Sequence, residues 1–244
     1  MKSKSSDWKQ IVGNFLFQYR SFTPLPLMLL IFLGLKPRDM GTLNIWVIAG
    51  GLLLAFGGEV VRILAVGFSA TGTSGRENFL KAESINTTGV YSLSRNPLYI
   101  GNFFIYFGLL VIFNNGFALL IGASFLILQY YFIILAEEKY LAERHGEAYQ
   151  RYCRMVPRIF SGFRTFQRPD TGFDFRKVLF KENDSVFNLM VVFILILAVR
   201  ELTFDRFIIH KLEFILSASV LCILYIIIKV LKKRKKTGQG PKMP

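Results

Sequence analysis

Two stretches of the chain hold the residues best suited to chemistry. Residues 87–101 read TTGVYSLSRNPLYIG and place Arg95 just before an apolar run, and residues 137–158 open on the adjacent carboxyl groups of Glu137 and Glu138. An arginine can bind a carboxylate through two parallel hydrogen bonds, and a glutamate can bind a cation or accept a proton. These residue types predict a compact polar site, provided that the fold brings the two stretches together.

The composition identifies the elements that position these stretches as membrane-spanning helices. Hydrophobic residues make up 52% of the 244 residues and the mean hydropathy is +0.42, yet the formal net charge is +14. Disordered chains lack such hydrophobicity, and a soluble nucleic-acid-binding protein would not contain several long apolar runs. The chain is therefore predicted to be an all-α polytopic membrane protein with about six transmembrane helices. These helices are expected over residues 22–35, 45–68, 98–113, 117–136, 186–199 and 212–230.

The third and fourth apolar runs predict a helical hairpin. Only residues 114–116, Asn-Asn-Gly, separate them, and such a short connection is typical of a tight turn between antiparallel helices. The start of the third run and the end of the fourth then lie at the same membrane face, so Arg95 is expected beside Glu137 and Glu138. The first run is short and contains two prolines, so its full crossing of the membrane is left open.

The distribution of basic residues predicts the orientation in the membrane. Alternate connecting segments carry 23 Lys and Arg on one side and 5 on the other. Because basic residues concentrate in cytosolic segments, both termini and residues 69–97 and 137–185 are expected in the cytosol. The basic run 232–236 is expected to bind anionic membrane lipids, and no nucleic-acid partner is predicted. The expected location is the cell membrane, which is the inner membrane if the source is bacterial.

Three motifs in a fixed order resemble one group of membrane enzymes. RNPLYIG at 95–101, EEKYL at 137–141 and HGEAYQRYCRMVPR at 145–158 are similar to the isoprenylcysteine carboxyl methyltransferase group, which is related to the phospholipid N-methyltransferases. The resemblance runs roughly over residues 84–160. It implies an all-helical enzyme that uses S-adenosylmethionine without a Rossmann domain and releases S-adenosylhomocysteine. It also implies a cofactor at the cytosolic membrane face and a lipid acceptor that enters from the bilayer.

The resemblance implies a cofactor site and a catalytic set, carried over by motif. Arg95, Glu137 and Glu138 are the expected catalytic residues. Asn96 stands where the prenylcysteine enzymes usually have His, and Ser161 stands near where a Pro often closes the segment, so the acceptor remains open. The expected cofactor-binding residues are Val90, Tyr91, Arg95, Asn96, Pro97, Tyr99, Gly101, Glu137, Glu138, Tyr149, Tyr152, Pro157 and Arg158.

Four further residues are candidates for contact with the substrate. Glu59 and Arg62 lie in the second run at a spacing of i, i+3, where an ion pair of structural role is the favoured interpretation. Arg76 and Asn78 belong to a polar loop before the third run, and a solvated connector is the alternative there. The two Cys and two His show no metal-ligand spacing, so no metal site is predicted.

The predicted domain organisation follows from the runs and the motifs. The divisions are a cytosolic N-terminal arm (1–21), the first two spans (22–68), a methyltransferase core of cytosolic loop, hairpin spans and cofactor-binding segment (69–160), a cytosolic linker (161–185), a two-span extension (186–230) and a basic cytosolic tail (231–244).

The predicted function is methyl transfer from S-adenosylmethionine to a lipid or lipid-modified acceptor. The first choice is O-methylation of the carboxylate of a prenylcysteine-like group, and N-methylation of a phospholipid headgroup amine is the close alternative. A carboxylate is already ionised and needs an arginine to orient it, whereas an amine must lose a proton to a glutamate or water. The sequence supplies both kinds of group. Outside this class, a small transporter, a lipid-binding scaffold or a catalytically inactive relative is the alternative.

Overall fold

The structure is a computed structural model, and every regular element in the part of the chain that it describes is helical, as predicted. The described residues are 5–20, 22–38, 45–70, 84–160, 162–163, 166–204 and 207–237. They form the α-helices α1 (Ser5–Gln18), α2 (Pro24–Gly34), α3 (Ile45–Gly67), α4 (Pro97–Phe113), α5 (Gly116–Met155), α6 (Phe175–Thr203) and α7 (Phe207–Thr237). The chain divides into two compact units, Met1–Asp174 and Phe175–Pro244.

Glycines allow α3 and α4 to pack closely in the first unit. A Cβ atom added to Gly58 would lie 2.5 Å from the carbonyl oxygen of Gly101, and one added to Gly51 would lie 2.6 Å from that of Gly108. From the first contact to the second, the residue number falls along α3 and rises along α4, so the two helices are antiparallel. Small residues at such contacts are how helices pack where both faces are already apolar. This contact fixes the position of the first turn of α4, where the polar motif begins.

The predicted hairpin is formed by α4 and α5. Asn114 adopts the left-handed conformation at φ 54° and ends α4, and the Asn115 side chain accepts a hydrogen bond from the Ala118 amide at 3.0 Å to cap α5. The second helix is longer than the apolar run, because it continues beyond residue 136 to Met155. It bends at Gly146, whose φ of 51° is a conformation that glycine adopts without strain.

The N-terminal residues, predicted as an arm, form a helix that packs on α5. The Trp8 ring lies 5.6 Å from that of Phe132, and Gly13 packs against the Phe132 backbone and the Ala136 side chain. Further along, the Asn115 side chain donates a hydrogen bond to the Lys36 carbonyl at 2.7 Å. The chain between Gly13 and Lys36 therefore runs the length of the hairpin.

Within the described residues, four helices are long and apolar enough to cross a membrane. They are Ile45–Gly67, Gly116–Met155, Phe175–Thr203 and the Leu212–Lys232 part of α7, and the 17-residue α4 is a shorter apolar helix beside them. Helix α2 has 11 residues and rises only about 16 Å. That length is roughly half the hydrocarbon thickness of a bilayer, so α2 alone does not complete a crossing. An integral membrane protein is confirmed in outline.

The second unit is a pair of helices. Its first helix begins at Phe175, so residues 175–185 of the predicted linker are helical. Asp184 accepts a hydrogen bond from the Tyr225 hydroxyl at 3.0 Å and pairs with Lys229 at 2.8 Å, which joins α6 to α7. The Tyr225 ring also stacks on Phe187 at 4.0 Å.

Candidate functional site

The polar motifs meet at one end of the first unit, which we call the hairpin mouth. Helix α4 begins there at Pro97, the apolar part of α5 ends there at Ala136, and antiparallel α3 ends there at Gly67. The chain after residue 166 returns to the same place, since the Asp174 amide donates to the Gly67 carbonyl at 3.0 Å. Thr171 donates to the Phe68 carbonyl at 2.5 Å.

Glu138 lies at the centre of the mouth between two arginines. One carboxylate oxygen is 3.0 Å from Arg95 Nη2, and the other is 2.6 Å from Arg158 Nη2 and accepts a hydrogen bond from Arg158 Nε at 2.8 Å. The side chains of Arg95 and Glu138 are 11% and 12% exposed, whereas that of Arg158 is 46% exposed. The predicted proximity of Arg95 to the glutamate pair is therefore confirmed, with Glu138 as the partner.

Glu137 faces a different neighbour from Glu138. Its Oε2 accepts a hydrogen bond of 2.8 Å from the Tyr99 hydroxyl of α4. The Tyr99 ring in turn packs on Tyr130 at 5.5 Å. The two adjacent carboxyl groups thus make separate contacts. Glu137 accepts a hydrogen bond from Tyr99 inside the hairpin, and Glu138 lies between the two arginines.

Three hydrogen bonds hold the segment around Pro157 against the start of α4. The Arg95 amide donates to the Pro157 carbonyl at 3.1 Å, the Ser94 hydroxyl to the Arg158 carbonyl at 3.0 Å, and the Asn96 side-chain amide to the same Arg158 carbonyl at 3.1 Å. Asn96 is buried. The residue that replaces the usual His of the resembling group therefore uses its side chain to hold the backbone of the segment around Pro157. A histidine N–H could donate the same bond.

Two tyrosines of the bent part of α5 anchor it to the loop before α4. Tyr149 and Tyr152 are buried with Val156 in one hydrophobic cluster. The Tyr152 hydroxyl donates to the Tyr91 carbonyl at 2.7 Å. Tyr91 belongs to a short 3₁₀ turn, Val90–Ser92, so this bond places that turn beside the mouth.

A cavity of about 490 Å³ opens at the mouth. Its lining includes Glu138, Tyr149, Cys153, Arg154 and Arg158. The volume falls within the usual range for a small-molecule site. Lys139 also lines the cavity, so one anionic side chain, three cationic side chains and an aromatic ring border the same space.

Burial and ion pairing shift the pKa values of the cavity groups outside the membrane-spanning parts. The carboxylate of Glu138, which accepts a hydrogen bond from Arg158, raises the pKa of the Arg158 guanidinium. Burial raises the pKa of the Tyr149 and Tyr152 hydroxyls above the ordinary tyrosine value. The arginine is thus charged and the tyrosines are neutral at physiological pH.

The charged pair of α3 lies deeper than the mouth. Glu59 and Arg62 are buried and 3.9 Å apart, as their spacing predicts, and Arg62 donates a hydrogen bond to Asn102 of α4. Asn102 also hydrogen-bonds Tyr130. The Arg62 side chain and the Gly58 carbonyl both lie close to Gly101. A Cβ atom added to Gly101 would lie 2.6 Å from Arg62 Cγ and 2.6 Å from the Gly58 oxygen.

Two of the predicted site residues lie outside the described part of the chain, and three residues at the site were not predicted. Arg76 and Asn78 lie outside the described residues. Ser94, Asn102 and Gln167 were not predicted as site residues. The backbone amide of Gln167 donates a hydrogen bond to the Ser92 hydroxyl at 2.9 Å. A polar residue one turn into an apolar helix is a signal that could have identified Asn102. No such signal marks Ser94 or Gln167, because their partners are distant in sequence.

Comparison with known proteins agrees with this architecture. The family model of phospholipid methyltransferases matches residues 45–148, and that family includes isoprenylcysteine carboxyl methyltransferase-like proteins. No curated protein and no solved structure matches the chain. The match starts at the first residue of α3 and contains Arg95, Glu137 and Glu138, whereas Arg158 lies beyond it. Residues 45–148, which lie in the first unit, are therefore similar to the phospholipid methyltransferase family.

Proposed function

We propose that the protein transfers a methyl group from S-adenosylmethionine to a lipid or lipid-modified acceptor at the hairpin mouth. The observation that carries the proposal is the cavity bordered by Glu138 and Arg158, at the edge of the segment that matches the methyltransferase family. Both charges are fixed by the ion pair between them. A site of this kind suits a ligand with opposite charges a few bonds apart.

The chemistry of the cavity residues fits S-adenosylmethionine. Its amino group matches the Glu138 carboxylate, its carboxylate matches the Arg158 and Arg154 guanidinium groups, and its adenine matches the Tyr149 ring. Arg95 adds a further polar atom, because its buried Nε has no hydrogen-bond partner among the described residues. These residues are therefore proposed to hold the cofactor.

The residues contribute binding and orientation. When bound, S-adenosylmethionine supplies a methyl group activated by a sulfonium. Methyl transfer is an in-line displacement, so the enzyme's task is to align the acceptor and exclude water. Glu138 is held in one orientation by its two arginines, and Tyr99 holds Glu137. Through these contacts Arg95, Glu137 and Glu138 are proposed as the catalytic set.

A carboxylate acceptor suits the charges at the cavity best. Lys139, Arg154 and Arg158 line it together with the single carboxylate of Glu138. Two guanidinium groups already pair with that carboxylate. A carboxylate needs no base and is oriented by an arginine. We therefore propose O-methylation of a prenylcysteine-like carboxylate.

N-methylation of a phospholipid amine is the second candidate. The family match favours it, since the matching model is that of phospholipid methyltransferases. An amine must lose a proton before it attacks, and Glu137, which accepts its hydrogen bond from Tyr99 rather than from an arginine, is the carboxylate available for that step.

The orientation proposed for the protein follows the basic-residue bias. The mouth and both termini face the cytosol, where the cofactor is made, and the acceptor reaches the mouth from the leaflet. The bias of 23 basic residues against 5 supports this assignment.

A transfer assay with methyl-labelled S-adenosylmethionine tests the function and the acceptor together. The purified protein, in bilayers, receives either a prenylated cysteine with a free carboxyl group or phosphatidylethanolamine. The proposal predicts label in the prenylcysteine that mild base releases as methanol, because a methyl ester hydrolyses and an N-methyl group does not. Base-stable label in the phospholipid supports the second candidate. Absence of label in either acceptor, from protein shown to be folded, contradicts both.

A further inference from the structure

A segment rich in aromatic residues and arginines borders the hairpin mouth. We propose that this aromatic–arginine segment, made up of the described residues 154–160, 162–163 and 166–168, binds the headgroup layer of the membrane leaflet on the mouth side. The inference concerns the surface around the cavity and does not depend on the reaction proposed above.

The first support is the exposure of large apolar side chains along the segment. Phe163 is 79% exposed and packs edge-on to Phe160 at a ring distance of 5.3 Å. Soluble surfaces rarely carry so many apolar side chains in sequence, and such patches mark contact with a membrane or a partner. The exposed apolar residues of the segment are Met155, Ile159, Phe160, Phe163 and Phe166.

The second support is charge, which selects a membrane over a protein partner. Residues 148–169 contain five arginines and no Asp or Glu. The four of these arginines that the structure describes are all exposed: Arg151, Arg154, Arg158 and Arg168. Basic residues beside a spanning helix are attracted to anionic lipid headgroups, while aromatic rings prefer the boundary between headgroups and acyl chains. The alternation of the two residue types matches both layers at once.

The third support is the position of the segment relative to the spanning helices. Near its start the Pro157 carbonyl accepts from the Arg95 amide at 3.1 Å, and near its end the Gln167 carbonyl accepts from the Gly89 amide at 2.9 Å. Both ends are therefore tied to the stretch from Gly89 to Arg95, which leads into α4. Because α4 is apolar from its first turn onward, its start marks the membrane surface. The segment is held at that level.

The consequence is that one rim of the cavity lies among lipid headgroups. Arg154 and Arg158 belong both to the segment and to the cavity lining. A lipid whose polar group sits at headgroup depth could then reach the cavity without leaving the leaflet.

The depth of a single tryptophan tests the inference. In a chain whose native tryptophans are replaced (Trp8→Phe and Trp46→Phe), Phe163→Trp reports from the tip of the segment. The matched control is Ala148→Trp on the exposed, charged side of the bent part of α5. Phe160→Trp is a second reporter if the first variant does not fold. Each protein is placed in bilayers of phosphatidylcholine and phosphatidylglycerol, with bromine on the acyl chains near either the headgroup or the terminal methyl.

The inference predicts that emission from Phe163→Trp shifts to shorter wavelength in bilayers. Bromine near the headgroup should quench it more strongly than bromine near the chain end, and the Ala148→Trp control should show neither effect. Emission typical of indole in water, unaffected by brominated lipid, overturns the inference. Blue-shifted emission without quenching also overturns it, because the ring would then be buried against protein. The readout does not involve methyl transfer, so its failure is distinguishable from failure of the proposed reaction.

Discussion

The two ends of the α4–α5 hairpin use polar residues in different ways. At the turn, Asn114 adopts the left-handed conformation, Asn115 caps α5 and also donates to the Lys36 carbonyl, and the Arg38 amide donates to the Asn114 carbonyl at 3.1 Å. These contacts satisfy backbone groups that a helix end leaves unpaired. The turn is a structural closure.

The mouth contains more charge than closure of a helix end requires. The Arg95 amide and the Ser94 hydroxyl already fasten the segment around Pro157 through its backbone carbonyls, yet Glu138 also pairs with two arginines beside a cavity. Charges near a membrane are costly to bury. Polar residues are present at both ends, so the mouth is identified as the candidate site by charge in excess of what closing the helix ends requires.

Replacing the carboxylate at the centre of the mouth should have the largest effect. Glu138→Gln keeps the shape of the side chain but removes the charge that Arg95 and Arg158 share. We expect a loss of about 100-fold or more in kcat/KM for methyl transfer, since that corresponds to roughly 2.7 kcal/mol and a broken buried pair costs about 3–5 kcal/mol. Glu143→Gln, at an exposed position on the same helix, is the matched control. Equal activity of the two variants would contradict a role for the hairpin mouth in methyl transfer.

Substitutions at two neighbouring glycines of α3 distinguish the effect of helix packing on stability from that of helix propensity. Gly58→Leu forces a side chain against the Gly101 carbonyl, whereas Gly57→Leu projects into space with nothing within 4 Å of its Cβ atom. The first variant should lower the free energy of unfolding by about 1–3 kcal/mol or more through overpacking. The second should change it little. Unfolding in mixed micelles with increasing dodecyl sulfate measures both, and equal stability would contradict the close contact of α3 with α4.

A substitution at the turn tests whether that end is structural only. Asn115→Ala removes the cap of α5 and the bond to the Lys36 carbonyl. The free energy of unfolding should fall by about 1 kcal/mol, as is typical for a lost N-cap. Methyl transfer by the folded fraction should be unchanged. A selective fall in kcat/KM at full folding would show that the two ends are less distinct than their contacts indicate.

The bent part of α5 should confer sensitivity to alkaline pH. Burial raises the pKa of Tyr152, so the folded protein holds the phenolic proton more tightly than the unfolded chain does. The stabilisation is therefore complete below pH of about 10, the ordinary tyrosine value, and is lost as the pH rises above it. Tyr152→Phe should cost about 0.5–1.5 kcal/mol at neutral pH through the lost bond to the Tyr91 carbonyl. Thermal unfolding followed by circular dichroism at pH values of about 8 to 11 should show a flatter alkaline decline in this variant than in the wild type.

Much of the hairpin could be predicted because its signals are local. Two apolar runs joined by Asn-Asn-Gly specify antiparallel helices, and that topology alone brings Arg95 to Glu138. The sequence did not show which glutamate pairs with the arginine. That choice depends on the rotation of α5, which places Glu137 toward the Tyr99 hydroxyl.

What could not be predicted depends on contacts between residues distant in sequence. The continuation of α5 past residue 136 and its bend at Gly146 place Tyr149 and Tyr152 in their cluster. The structural use of Asn96 depends on the Arg158 carbonyl, 62 residues away. Spacing within a motif carries no information about a backbone carbonyl on another segment. The early start of α6 at Phe175 was missed because its first turns are polar and the apolar run begins later.

Calorimetric titration with S-adenosylhomocysteine measures cofactor binding at the cavity without requiring the acceptor. The wild-type protein in bilayer discs is compared with Glu138→Gln at the mouth and Asn115→Ala at the turn. We expect saturable binding to the wild type and to the turn variant. Binding to the mouth variant should be weakened by about 100-fold or more, as loss of a charged contact in a low-dielectric site should cause. Unchanged affinity in Glu138→Gln, or no heat of binding from folded wild-type protein, would contradict the proposed cofactor site.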